Sequence, residues 1–423
     1  MKNKKLFQKI VFITLIVLIL LSLVAPAIFS QTLLAPRQEK LLNGLKVLMW
    51  SDAKAEKVTV RIRVHSGSAF DPQGKEGVMQ LLADNIFPNA ASREFFTEDL
   101  GGGLEVVTNY DYIQINASSK PEGFLSMLET LSTAVSNPAI DKETTIKLRT
   151  ALLAKIATME SDPAYVADNA VAKRLFGTFP YGRPQLGTAI SVQKLDFADL
   201  IDAKQRFLTA DNATIAVSGN FDKALGYKAI RRYFGGWLKS DKKVPSTFRQ
   251  PDDPDTKQLA ISVANSGKTE YRFAFRGVAR SDKDYIASHL LSRILQARAL
   301  GMFRGSSNSV EKFSVSNNVH SLPGFFVLNY SGKPEPTAPA VNIDLVSELF
   351  HPKISDSEFA KARSEILSEN AAQSISDWWL DVDTYRIVVA DEARSFQSAS
   401  IADVQRVADR LSRNPVVSVK VSG

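Results

Sequence analysis

The feature that most constrains the fold of this chain is that it repeats itself. In the first half, residues 42–50 and 57–64 alternate or run apolar around a charged turn at residues 51–56, the pattern of two paired strands. A polar loop at residues 66–77 leads into an apolar helix that carries Gln80. Further on, residues 258–264, a turn at 266–268, residues 271–276, a polar loop around Ser281-Asp282 and an apolar helix from Tyr285 follow in the same order. Each half closes on a strand, at residues 213–218 and 416–421. Two copies of one α+β unit, each a mainly antiparallel sheet covered by helices, is the simplest account.

Within the first copy, Gly101-Gly102-Gly103 precedes strands at residues 104–108 and 112–117, bent at Asn109-Tyr110-Asp111. Residues 121–135 and 141–160 have helical spacing and are separated by Asn137-Pro138. Apolar and aromatic residues at helical spacing in 196–207 and 377–379 read as core. The stretch from Ser240 to Lys257 is rich in Pro, Asp and Lys and lacks apolar periodicity, which marks a linker. The chain thus divides into residues 1–30, a first domain at 31–240, a linker at 241–257 and a second domain at 258–423. Its 423 residues exceed what one core usually serves, so two domains are expected on length as well.

Residues 1–30 form a leader. Lys2, Lys4, Lys5 and Lys9 precede an apolar run from Ile10 to Val24, and Ala25-Pro26-Ala27 supplies small residues at cleavage-site spacing, the pattern of a secretory signal peptide. The apolar stretch extends to Phe29, about the 20 residues that span a bilayer, so an uncleaved anchor is the alternative. Either way the bulk is expected outside the cytoplasmic membrane, periplasmic or on its outer face. Removing the four leader lysines from the 52 basic residues leaves an excess of about +3 over the 45 acidic ones, too small for a nucleic-acid footprint. The absence of cysteine excludes disulfides, thiol catalysis and thiolate metal sites. Gly267-Lys268-Thr269 lacks the first glycine of a phosphate loop, which leaves a polar turn.

Several strings together resemble the pitrilysin/insulinase family of zinc peptidases, in its short two-domain form. Asn43-Gly44-Leu45-Lys46-Val47 is similar to the family's opening strand, and Gly67-Ser68 with Gly74-Lys75-Glu76-Gly77 to its approach to the metal helix. Leu100-Gly101-Gly102 and Asp111-Tyr112 resemble its glycine turn and next strand. The most specific match is Pro180-Tyr181-Gly182-Arg183-Pro184 with Leu186-Gly187-Thr188, followed by Asp211-Asn212 and Gly219-Asn220-Phe221-Asp222. The resemblance runs from about Leu41 to the C-terminus.

The resemblance also exposes what is missing. Where the family keeps H-x-x-E-H, two zinc-binding histidines on one helical face and a glutamate that takes a proton from metal-bound water, this chain has Gln80, Asp84 and Ala83. Gln80 is a poor ligand beside imidazole, and Ala83 has no proton acceptor. The family's third ligand, a glutamate upstream of the stretch matched by Ser161-Asp162-Pro163, falls at Ala154 or Lys155, with Glu160 the nearest carboxylate. The arginine and tyrosine with which family members hold substrate fall at Ser306 and Phe313, with Arg304 two residues away. His65, His289, His320 and His351 lack partners at i+3 or i+4 and read as structural or surface histidines. No metal ligand set and no cofactor is expected in this chain, and zinc only in an active partner.

What the resemblance leaves is shape. Gly102, Gly103, Leu104, Glu105 and Val106 correspond to the edge on which the family pairs an extended peptide by main-chain hydrogen bonds, although three glycines also make a simple tight turn. The expectation is a non-catalytic subunit that pairs as a hetero-oligomer with an active, zinc-bearing homologue around a peptide-enclosing chamber. The alternatives are a stand-alone peptide-binding or scaffold protein and a residual metal-dependent endopeptidase.

Overall fold

The computed structural model describes residues 35–240, 248–264, 267–303, 310–332 and 343–422. Residues 1–30, where a leader is expected, Arg304, Ser306 and residues 241–247 of the expected linker lie outside the described residues. The first sheet comprises β1 (Arg37–Lys40), β2 (Lys46–Ser51), β3 (Val58–Val64), β4 (Gly103–Thr108), β5 (Ile113–Ser119) and β6 (Ala213–Gly219), in the order β1-β2-β6-β3-β5-β4. The second comprises β7 (Leu259–Ser262), β8 (Thr269–Arg276), β9 (Val310–Asn318), β10 (Phe325–Gly332) and β11 (Val417–Ser422), in the order β7-β11-β8-β10-β9. Pairing is antiparallel except between β2 and β6 and between β7 and β11. The second order is the first with β1 left off, so the repetition read from the sequence is a repetition of topology.

One expectation is corrected. Residues 42–50 and 57–64 do not pair with each other, because β6 lies between β2 and β3. In β6 the five residues from Ala213 to Val217 are buried, so it takes an interior place in the sheet, and the short 51–56 link crosses over it. β11 separates β7 from β8 in the same way. The strand expected from residue 42 also begins only at Lys46, after a turn in which Gly44 has φ 93° and its missing side chain leaves room for Asp211.

Strand alternation then decides what each sheet face meets. In β3, Val58, Val60, Ile62 and Val64 point into the first core, under the helices α1 (Val78–Ile86), α2 (Phe124–Ser136), α3 (Lys142–Met159) and, later in the chain, Phe197–Phe207 and Lys223–Phe234. Arg61, Arg63 and His65 point to the opposite face. In β8, Phe273 and Phe275 enter the second core with the helix Tyr285–Phe303, while Arg272, Ala274 and Arg276 face away from it.

The two halves cover these second faces for each other. Helix α4 (Pro163–Phe176), from the first half, lays Ala167, Val171, Leu175 and Phe176 on Ala274, Val327, Val417, Val419 and Val421 of the second sheet. Helix α5 (Ile375–Tyr385), from the second half, lays Trp378, Trp379, Leu380 and Val382 on Leu48, Trp50 and Ala216 of the first. At about 25 cal/mol per Å² and 150–250 Å² per aromatic, each tryptophan contributes roughly 4–6 kcal/mol of transfer free energy before conformational entropy is counted. The same strand of each repeat carries the polar part of the contact. Arg61 pairs with Asp377 and Arg63 with Asp381, while Arg272 pairs with Asp168 and the Arg276 guanidinium donates to the Leu175 carbonyl. Lys46 of β2 pairs with Asp383. Among the described residues no helix is long and apolar enough to cross a membrane.

Candidate functional site

Helix α1 starts where a buried carboxylate gathers its free N–H groups. Gly77 takes φ 101°, and Asp71 accepts from the backbone N–H of Gly77 at 2.7 Å and of Met79 at 2.9 Å. Burial pushes the Asp71 carboxyl up to about 7, even though these two bonds and the Arg183 charge pull it down. Val78, Met79, Leu81, Leu82 and Ile86 fix the helix to the first core. Gln80 and Asp84 are left on the partly exposed side, as their spacing of four residues requires.

These two side chains satisfy each other. Gln80 Nε2 donates to Asp84 Oδ1 at 2.9 Å. Burial raises the Asp84 carboxyl above its ordinary value, while the Gln80 amide, the Lys155 charge and the Arg93 charge lower it. Lys155 lies on α3, the helix packed against α1, so the third expected ligand position does face the first two, but with a cation. Ala154 beside it is exposed, and Glu160 caps the far end of α3. Ala83, at the place of the general base, is 1% exposed and packed in the first core. Two residues further on, Asn85 is fully buried and neither polar atom of its amide has a hydrogen-bond partner among the described residues.

Zinc does not fit this donor set. The amide offers one neutral oxygen, the carboxylate is already bonded, and the third position repels a cation. Among the described residues no three His, Cys, Asp or Glu side chains converge on one point. The histidines are used elsewhere. His65 sits between Thr214 Oγ1 at 2.9 Å and Thr384 Oγ1 at 3.1 Å, and burial pushes it down to about 4. His320 Nδ1 lies 3.1 Å from Asp111 Oδ2, and its ring lies 4.5 Å from that of Tyr181. His289 stacks on Tyr285, and His351 faces its own helix turn at the Ser347 carbonyl.

The remaining expected positions divide. β4 is the outermost strand of its sheet, paired only to β5 among the described residues, so Gly103, Leu104, Glu105 and Val106 present one unpaired backbone edge. Gly102 sits where any side chain would collide with the Ser118 carbonyl, so it is needed for a close backbone approach. Glu105 accepts from Asn116 at 3.2 Å. Phe313, at the degenerate tyrosine position, lies on β9, is 7% exposed and points into the second core, with Ser314 and Ser316 on the other face. The alternation of β9 therefore withdraws it from any peptide. Ser306 lies outside the described residues.

Sequence reading missed the cleft between the halves. A cavity of about 500 Å³ opens there, lined in part by His65, Asp111, Tyr181, Asp383, Tyr385 and Arg386. Asp111 is its buried hub and accepts from the Ser321 N–H at 3.1 Å and the Tyr181 hydroxyl at 3.3 Å, besides contacting His320. Asp111 and Tyr181 do fall in the strings that carry the family resemblance. Tyr385 and Arg386 had no local signal.

Comparison with known proteins shows the family and the fold. The pattern of Insulinase (Peptidase family M16) matches residues 46–189, and that of the Peptidase M16 inactive domain matches residues 194–366. A probable mitochondrial-processing peptidase subunit beta of Arabidopsis thaliana is 21% identical over 417 residues, spanning 92% of this chain and 78% of that protein. The fold is that of a Helicobacter pylori protease, with a TM-score of 0.82 at 16% identity over 92% of this chain and 100% of the other. A peptidase M16 inactive domain from Pseudomonas fluorescens superposes with a TM-score of 0.81 at 18% identity, over 92% and 98% of the two chains. With its metal helix carrying none of the expected ligands, the chain nonetheless belongs to the insulinase family, peptidase family M16.

Proposed function

We propose that this protein is a non-catalytic, peptidase-shaped subunit that works beside a separate, zinc-bearing homologue on the outer side of the cytoplasmic membrane. The observation that carries the reading is the corner of α1 and α3. There Gln80 and Asp84 spend their polar atoms on each other, Lys155 stands at the third ligand position, and Ala83 is sealed in the core. Neither a zinc-bound water nor a base to deprotonate it is supplied by these residues. The two-sheet frame and the open β4 edge are retained. A subunit of this kind would complete a chamber, offer an edge to extended peptides and stabilise its partner.

The open edge also favours a second reading, in which the protein binds extended peptides by itself through main-chain pairing. Mixing the purified chain with an H-x-x-E-H homologue from the same cell, and following size-exclusion elution and peptide cleavage, separates the two. Co-elution with a rise in the homologue's cleavage supports the subunit reading. A chain that stays apart and leaves cleavage unchanged contradicts it.

A further inference from the structure

The geometry points to a carboxylate-binding site in the cleft between the two halves, built around Arg386 and suited to the free C-terminus of a peptide with an apolar last residue. Arg386 follows α5 in the left-handed region, with φ 55° and ψ 44°. It is the only non-glycine with positive φ among the described residues. This is the helix-ending position that glycine favours, and any other L-residue there costs roughly 1–2 kcal/mol. Backbone strain of this kind clusters at functional sites.

The side chain held there is exposed, and among the described residues its guanidinium has no ion pair and no hydrogen bond. The carboxylates facing this corner are engaged by others. Asp111 is held by His320 and Tyr181, Asp383 by Lys46 and Thr214, Glu392 by Arg280 and Asp391 by Arg394. Among the described residues Arg386 is therefore a cation without an ion pair, beside a cleft whose lining carboxylates Asp111 and Asp383 already have other partners, while Asp282 on the adjoining surface accepts the Asp284 N–H.

The rest of the cleft fits the same ligand. Ser281, Ser321 and Tyr385 line it with hydroxyls that make no side-chain hydrogen bond among the described residues. Burial holds the Tyr385 phenol protonated, so it is a donor. An arginine fork with neighbouring hydroxyls matches the two oxygens of a carboxylate. Ala69, Phe70, Phe248 and Leu322 supply an apolar wall on the same cavity. Its volume of about 500 Å³ lies within the range of ligand sites.

The test uses the purified chain alone, so that it does not depend on pairing with a homologue. Fluorescence anisotropy compares Ala-Ala-Ala-Phe carrying an N-terminal fluorophore with the same peptide amidated at its C-terminus. The free acid is expected to bind at least about tenfold more tightly than the amide, since one charge-assisted bidentate contact is removed. Arg386→Gly is expected to abolish this preference without lowering the urea midpoint, because glycine suits the backbone position. Arg386→Gln, which keeps the backbone constraint and removes the charge, should lose the preference equally. Equal binding of acid and amide, binding of neither, or an unchanged preference in both variants would overturn the site. A failure of the homologue to co-elute, with the acid preference intact, would overturn the subunit reading alone.

Discussion

Within α1, Gln80 and Asp84 answer each other across one helical turn, and nothing from the other half of the molecule is involved. Across the interface, Arg63 is 2% exposed and spends its guanidinium on Gln114 at 2.6 Å, Asp381 at 2.6 Å and Thr384 at 3.3 Å, over the Tyr112 ring at 4.0 Å. The first arrangement is local and partly solvated. The second is buried and joins two domains. The metal helix can therefore lose its chemistry at little cost to the fold, because the fold is fastened at the exchanged helices α4 and α5.

The largest effect is therefore expected away from the metal helix. Arg63→Ala strands Asp381, whose carboxyl burial already pushes upward against the Arg63 charge. Removing one partner of such a pair costs about 3–5 kcal/mol, measured by urea unfolding. A loss below about 1 kcal/mol would show that the interface is not where the halves are held.

The two regions should also differ in the sign of their pH dependence. Asp71, at the start of α1, has a folded value of about 7 against an ordinary 3.8, so the native state keeps a proton that the unfolded chain releases. Its contribution is full below about pH 4 and is lost as pH rises through 7, by at most about 4 kcal/mol. His65, at the interface, has a folded value of about 4 against an ordinary 6.5. Its contribution is full above about pH 6.5 and is lost as pH falls towards 4, by at most about 3 kcal/mol. Asp71→Asn should flatten the rising-pH arm of a stability profile, and His65→Gln the falling-pH arm. Swapped or absent effects would break the assignment.

Smaller changes sharpen the picture of the emptied corner. Ala83→Glu returns the family's base to its place, but into a packed position, so it should cost about 1–3 kcal/mol in urea without producing cleavage. Gln80→Ala removes a single i,i+4 pair and should cost only about 0.2–0.5 kcal/mol. A loss above about 2 kcal/mol would mean that the pair carries more of the fold than one local contact.

Much of this was legible in the sequence, and the limits have physical causes. Alternation at Val58, Val60, Ile62 and Val64 marked β3, and helical spacing marked α1 and α3, because each element's apolar pattern is local. Neighbour order was not legible, since nothing in β2 and β3 says that β6 lies between them. β1 reads Arg-Gln-Glu-Lys and carries no apolar signal at all. Phe313 was assigned by alignment with a family position, and the pleat of β9 turned it inward. Gln80 and Asp84 lie one helical turn apart by helix geometry alone, whereas the family's spacing leaves the third position at Ala154 or Lys155, of which Lys155 lies near Asp84. The exchange of α4 and α5 depends on contacts over 100 residues or more, as between Arg272 and Asp168, and no local pattern encodes those. Arg386 had no signal because only the backbone around it makes an arginine there unusual.

On the proposed reading, this chain does not assemble a hydrolytic zinc centre from its own residues. The most direct measurement is metal content by mass spectrometry on the purified chain after incubation with zinc and gel filtration, with cleavage of a quenched-fluorescence peptide assayed on the same sample with and without chelator. The account expects well under one zinc per chain and no chelator-sensitive cleavage. One tightly held zinc per chain together with cleavage that the chelator abolishes would contradict it.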